Sequence, residues 1–165
     1  MFKKLLFILI PFTFLLANTL YVPQDYPSIQ DALNSANDND TVYVSLGTYY
    51  ESIEWPETYG IKLIGESKEN TIIDGSDTDQ LIHYANHCSN TIDTNTEISN
   101  LTLQNGLHDQ DGAAIYMYSA SPSLTNLIIQ NNEGSGYGNA VVSIVVHNGQ
   151  DDDLIISNVD FINNS

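Results

Sequence analysis

Three consecutive carboxylates, Asp151, Asp152 and Asp153, are the densest chemistry in this sequence. Clustered carboxylate oxygens suit calcium, a hard cation that takes several oxygen ligands. Asp109 and Asp111 flank a turn and are candidates to join them, although no EF-hand spacing is present. A plain solvated acidic turn is the competing reading. The histidines, His83, His87, His108 and His147, are scattered and show no metal-ligand spacing, so each reads as a surface or turn residue. Tyr116 and Tyr118 alternate around Met117 and therefore share one face of a strand. Facing outward, they offer aromatic surface to sugar rings; facing inward, they are core and Met117 is outside. Ile115 and Met117 are apolar too, so both orientations stay open. Tyr49, Tyr50 and Trp55 pose the same question. The single cysteine, Cys88, excludes an internal disulfide and a four-cysteine zinc site, and reads as a small buried apolar residue.

What positions these groups begins with an exported chain. Lys3 and Lys4 precede a nearly continuous apolar run from Leu5 to Leu16, and Ala17 offers a small residue near a cleavage point at 17–19. That is a signal peptide over residues 1–19, with a mature domain over 20–165. The run is short for a bilayer span, which takes about 20 residues. No second apolar run follows, so no membrane insertion is expected after cleavage. The formal net charge is -17, from 21 Asp and Glu against 4 Lys, with no arginine. Such a chain repels nucleic acid, because it has almost no cations to exchange for the counterions of a phosphate backbone.

Residues 27–36 carry a helix signature. Pro27 and Ser28 start it, Ile29, Ala32, Leu33 and Ala36 recur at helical spacing, and residues 37–40 (NDND) end it. Everything after is short β-rich runs broken by Gly, Asn and Asp, at 41–44, 48–51, 61–64, 71–73 and 81–84. An internal repeat then appears. Residues 98–106 (ISNLTLQNG), 124–132 (LTNLIIQNN) and 156–164 (ISNVDFINN) share one pattern of apolar, Ser or Thr, Asn, aliphatic, variable, apolar, variable, Asn, and Gly or Asn. Residues 114–118 line up with 140–144 between them. A strand so short cannot bury its own apolar side; stacked on a copy of itself it satisfies its backbone and builds a continuous core. Leu101 and Leu103 are expected over Leu127 and Ile129, and those over Val159 and Phe161. Asn100, Asn126 and Asn158, with Asn105, Asn131 and Asn163, are expected at left-handed bends and in amide ladders, as structural residues. The second interval is six residues longer than the first, which places an external loop near 147–153. The fold class is all-β: a right-handed parallel β-helix with a short N-terminal capping helix. The chain stops at Ser165 as a coil finishes, so the reading expects further coils beyond it.

These residues resemble the right-handed parallel β-helix proteins of the pectin-lyase-like superfamily. The likeness rests on Tyr21-Val22-Pro23, residues 29–33 (IQDAL), 40–44 (DTVYV), Gly47-Thr48-Tyr49 with Glu51, residues 61–66 (IKLIGE) and 71–75 (TIIDG). It implies the fold across the mature chain and a polysaccharide or cell-surface glycan as partner. It does not carry the family's chemistries over. Pectate lyases use a basic residue, usually Arg, beside calcium-bound uronate, and this chain has no Arg and in its mature part only Lys62 and Lys68. Polygalacturonases use close Asp residues with a His and an Arg motif, which Asp151, Asp152 and Asp153 lack. Residues 159–162 (VDFI) echo a pectin methylesterase motif, but its companion motifs are missing and Asp160 occupies a variable repeat position. The expected function is a secreted or cell-surface, non-catalytic scaffold for glycan or surface contact, with no certain cofactor beyond a possible calcium ion. The alternative is a polysaccharide lyase, hydrolase or esterase whose active-site coils lie beyond residue 165.

Overall fold

The computed structural model describes residues 16–85, 92–109, 112–134, 141–146 and 154–165. In chain order the elements are β1 (Thr19–Val22), α1 (Ile29–Ser35), β2 (Thr41–Val44), β3 (Gly47–Tyr49), β4 (Ile53–Glu54), β5 (Lys62–Gly65), β6 (Thr71–Asp74), β7 (Ile82–Ala85), β8 (Glu97–Gln104), β9 (Leu107–His108), β10 (Ile115–Tyr118), β11 (Ser123–Gln130), β12 (Glu133–Gly134), β13 (Val142–Val145) and β14 (Ile155–Ile162). Among the described residues, strands adjacent in sequence do not pair, apart from β1 and β2, which pair across α1. Each pairs in parallel with its counterpart one turn of chain later, which is the signature of a parallel β-helix.

Three sheets form its walls. The first has the order β1-β2-β5-β8-β11-β14, with β3 and β6 attached beside β8; the second is β4-β7-β10-β13; the third is β9-β12. The repeat sets the register of the first. Leu127 lies between Leu101 and Val159, and Ile129 between Leu103 and Phe161. Val42, Leu63, Ile98 and Leu124 continue a second inward column through successive coils, and all four are buried. In β14 the inward residues Ile156 and Phe161 are exposed.

The asparagines do what their spacing predicts. Asn100, Asn126 and Asn158 sit at φ of 58°, 53° and 55°, and Asn105, Asn131 and Asn163 at 56°, 53° and 52°. Asparagine tolerates this left-handed region better than other side chains with a Cβ. Each bend rotates the strand from one wall segment to the next. The amides of Asn126 and Asn158 donate to the side-chain oxygens of Asn100 and Asn126, so the ladder runs coil to coil. A second ladder starts at Asp74, whose carboxylate accepts from Gln104 (2.7 Å) and Asn105 (3.0 Å), while Gln104 accepts from Gln130 (2.8 Å).

Asp74 is buried, which opposes its ionisation, yet the donors Gln104, the Ser76 backbone N–H and Asn105 together hold its carboxyl below the usual range. A carboxylate with a depressed native pKa stabilises the fold above its unfolded pKa, about 4, and loses that contribution as pH falls through the native value. Replacing Asp74 with Asn is therefore expected to cost about 1–2 kcal/mol at neutral pH. The gap between parent and variant should close on acidification below about pH 4. Urea midpoints of both proteins across pH check this, and the difference isolates Asp74 from the other acidic residues.

The first coil is covered by α1, which buries Ile29, Ala32 and Leu33. At about 1.5–3 kcal/mol for each large side chain removed from water, this closes an otherwise exposed apolar end. The helix is held from two directions. Ser28 Oγ accepts from the Asp31 N–H at 3.0 Å, and the Glu51 carboxylate, arriving from the end of the β3 segment, accepts from the N–H groups of Ile29 and Gln30, each at 3.0 Å. Three of the four donors that a helix start leaves unpaired are thus satisfied. Beyond the other end of α1, Asp40 is buried and accepts from the backbone N–H of Asn18 (2.6 Å) and Asn37 (2.8 Å).

Candidate functional site

In the second sheet β10 alternates buried and half-buried residues, and its pattern orients the tyrosines that the sequence left open. Ile115 and Met117 are buried; Tyr116 and Tyr118 are half-buried and lie on the outer face. Met117 fills the core, so the reading with Met117 outside is excluded. Trp55 is core as well, at 2% exposure. Tyr50 is exposed, and Tyr49 is half-buried with its hydroxyl donating to the Ser45 carbonyl at 3.0 Å.

Register then assembles a row that spacing did not reveal. Glu54 pairs with His83, His83 with Tyr116 and Tyr116 with Ser143, from four successive coils. Beneath them runs an inward row of Ile53, Ile82, Ile115 and Val142. The local reason is common to the first three strands. Each is a triplet with large apolar residues on either side of its outward residue: Ile53-Glu54-Trp55, Ile82-His83-Tyr84 and Ile115-Tyr116-Met117. Burying the flanking residues turns the middle one outward.

One alignment needs correction. Similarity of 114–118 to 140–144 puts Tyr116 opposite Val142 and sends Ser143 to the same face as Met117. The structure shifts the pairing by one, with Ile115 opposite Val142 and Tyr116 opposite Ser143. A one-residue slip exchanges the two faces of a strand. The observed register keeps Val142 and Ile144 packed on the core and turns the hydroxyl of Ser143 outward.

The row is an organised polar and aromatic surface. His83 Nδ1 lies 2.7 Å from Glu54 Oε2. The His83 ring stacks on Tyr116, with ring centroids 5.6 Å apart and planes 15° from parallel. Glu54 is held in turn by Gln30 of α1: the Glu54 N–H donates to Gln30 Oε1 at 2.8 Å, and Gln30 Nε2 donates to the Glu54 carbonyl at 3.0 Å. The side chains of His83 and Glu54 are 34% and 69% exposed, so the pair is open to a ligand. As a solvent-exposed contact it contributes little to stability. A carboxylate, an imidazole and an aromatic ring in one row can donate to and accept from hydroxyl groups while covering an apolar ring face. The sequence held no sign of Glu54 as a site residue, since it lies 29 positions from His83.

Other expectations fall elsewhere. Asp151, Asp152 and Asp153, with Asp111, His87, His147 and Cys88, lie outside the described residues. Asp109 is exposed, and His108 Nδ1 lies 3.2 Å from Gln80 Nε2, away from the row. Among the described residues no three His, Cys, Asp or Glu side chains converge on a common metal position. Asp160 is a strand residue that faces out and pairs with Lys68 at 2.9 Å.

The family model described as Rhamnogalacturonase A/epimerase, pectate lyase-like, matches residues 22–165. No curated protein matches the chain.

Proposed function

The chain belongs to the rhamnogalacturonase A/epimerase, pectate lyase-like family, and from that membership we propose that it is an exported β-helix that holds a polysaccharide or cell-surface glycan along the outer face of β4, β7, β10 and β13. The row Glu54–His83–Tyr116 carries this reading. Sugar rings have apolar faces and polar rims, and the row supplies an aromatic ring beside hydrogen-bonding side chains fixed by register. A strand spacing of about 4.8 Å sets these side chains at roughly the width of a sugar ring, so neighbouring sugars meet neighbouring coils.

Binding without cleavage is the form that the residues favour. Glycoside hydrolysis generally uses two carboxylates flanking the bond, and Glu54 is the one carboxylate in the described row. Proton abstraction from a uronate calls for a cationic neighbour, and the chain has no arginine. A second reading rests on the 2.7 Å contact of His83 with Glu54. A carboxylate that orients an imidazole is the arrangement of a general base, and it would act on a glycan bound at the same place.

Export is proposed from Lys3, Lys4 and the apolar run that follows. N-terminal sequencing of material secreted by an expressing cell should begin near residues 17–19.

The binding reading has a direct test. Replacing Tyr116 with Ala should weaken retention on a glycan column at least tenfold without moving the melting temperature, because Tyr116 is an outward, half-buried residue. Retention unchanged in that variant would remove the site. Release of reducing ends or unsaturated sugars from the retained glycan, lost in a His83→Ala protein, would favour the catalytic reading instead.

A further inference from the structure

Resting on the glycan-binding reading above, we infer that this face takes an uncharged glycan and rejects polyuronates, with one sugar ring lying against Tyr116 over Ser143. Two independent observations lead there. The first is shape. His83 covers one face of the Tyr116 ring by stacking from the neighbouring strand. The opposite face of that ring is turned toward β13, where the residue in register is Ser143. Serine is too small to continue the stack, so the row steps down there and leaves an aromatic wall over a hydroxyl floor. A pyranose fits such a step, with its apolar face on Tyr116 and its rim hydroxyls toward Ser143.

The second is charge. Glu54 stands exposed at the far end of the row. Neither lysine of the mature chain serves this face. Lys62 belongs to β5 in the first sheet, and Lys68 is held by Asp160. His83 is the one described group of the row able to carry a positive charge, and its Nδ1 is directed at Glu54. A polyuronate brings a carboxylate on every sugar to a chain of net charge -17. Repulsion of like charges is felt over about 8–10 Å at physiological salt, which from Glu54 reaches about two strand spacings, as far as Tyr116.

A matched pair of ligands tests this on the full secreted chain: oligogalacturonate and the same oligomer fully methyl-esterified, measured by calorimetry at low and at high salt, with and without calcium. The inference expects the esterified oligomer to bind at least tenfold more tightly at low salt, with the gap narrowing as salt is raised. Ser143→Phe should fill the step and cut binding of the esterified oligomer at least tenfold. Because that variant is exposed to folding defects, E54Q gives a second reading: it should raise affinity for the oligogalacturonate and narrow the preference. Equal or tighter binding of oligogalacturonate, with or without calcium, lost on Tyr116→Ala, would overturn the charge inference while leaving the glycan site in place. Binding of neither oligomer, or binding indifferent to Tyr116→Ala, would overturn the glycan reading itself and this inference with it.

Discussion

A Leu127→Ala protein is expected to unfold about 3 kcal/mol more easily than the parent, and Ile128→Ala less than about 1 kcal/mol more easily. The two residues are neighbours in β11 with similar apolar side chains, and only their faces differ. Leu127 is fully buried between Leu101 below and Val159 above. Truncating it removes the transfer free energy of three carbons and leaves a cavity that the rigid ladders on either side hold open. Ile128 stands on the outer face between Thr102 and Asp160, half-buried. In a stack of coils the loss at Leu127 is shared by both interfaces of its coil. Denaturant midpoints of the two variants measure the contrast, and similar losses at both positions would mean that β11 does not alternate as described.

Gly65→Ala is expected to cost at least about 2 kcal/mol, in the range of severe overpacking. A Cβ built at Gly65 lies 2.1 Å from the Asn100 carbonyl oxygen and 3.0 Å from Leu101 Cβ. The nearest obstacle is backbone, which cannot swing aside as a side chain can. Gly65 needs no left-handed conformation, so the cost is purely one of space. The cause is the coil above. Lys62, Leu63 and Ile64 pair with Glu97, Ile98 and Ser99, and the next residue of that strand, Asn100, makes its left-handed bend directly over Gly65. The bend drives its carbonyl onto the glycine. A thermal melt of G65A against the parent checks this; a variant as stable as the parent would mean that the Asn100 bend does not press on the coil below.

Gly65 also marks how far the sequence can be read. As a sequence feature it stops a β-rich run and looks like a turn residue; its true role, making room for another coil, needs the register. Elements that repeat were legible because repetition is itself the physics: Asn at fixed positions and aliphatics two apart gave the ladders, the bends and the columns of the first sheet. The helix was legible for the same kind of reason, since Ser28 and the Ile29, Ala32, Leu33 spacing are local. Glu51, which caps that helix from the coil beyond, was invisible, as was any partnership of Glu54 with His83.

The second sheet was harder for a specific reason. In Ile115-Tyr116-Met117-Tyr118 every residue is apolar or aromatic, so alternation carries no contrast. The matching stretch in the next coil, Val141-Val142-Ser143-Ile144, aligns almost as well one residue out of step. Only closure of the coil on the core decides, and it puts Val142 and Ile144 inward. Trp55 failed to declare itself likewise: its orientation stayed open in the sequence, and it lies in the core.

Crosslinking across β10 and β13 tests the account most directly, because every statement about the outer row depends on which residue faces Tyr116. In a chain with Cys88 replaced by Ser, Tyr116 and Ser143 are changed together to Cys in one protein, and Tyr116 and Val142 in another. Neighbouring Cα atoms about 5 Å apart with Cβ atoms on one face are within disulfide reach. The account predicts that Y116C with S143C closes rapidly under mild oxidation and that Y116C with V142C stays open. Closure of the second pair in place of the first would put Ser143 among the core residues and dissolve the proposed site.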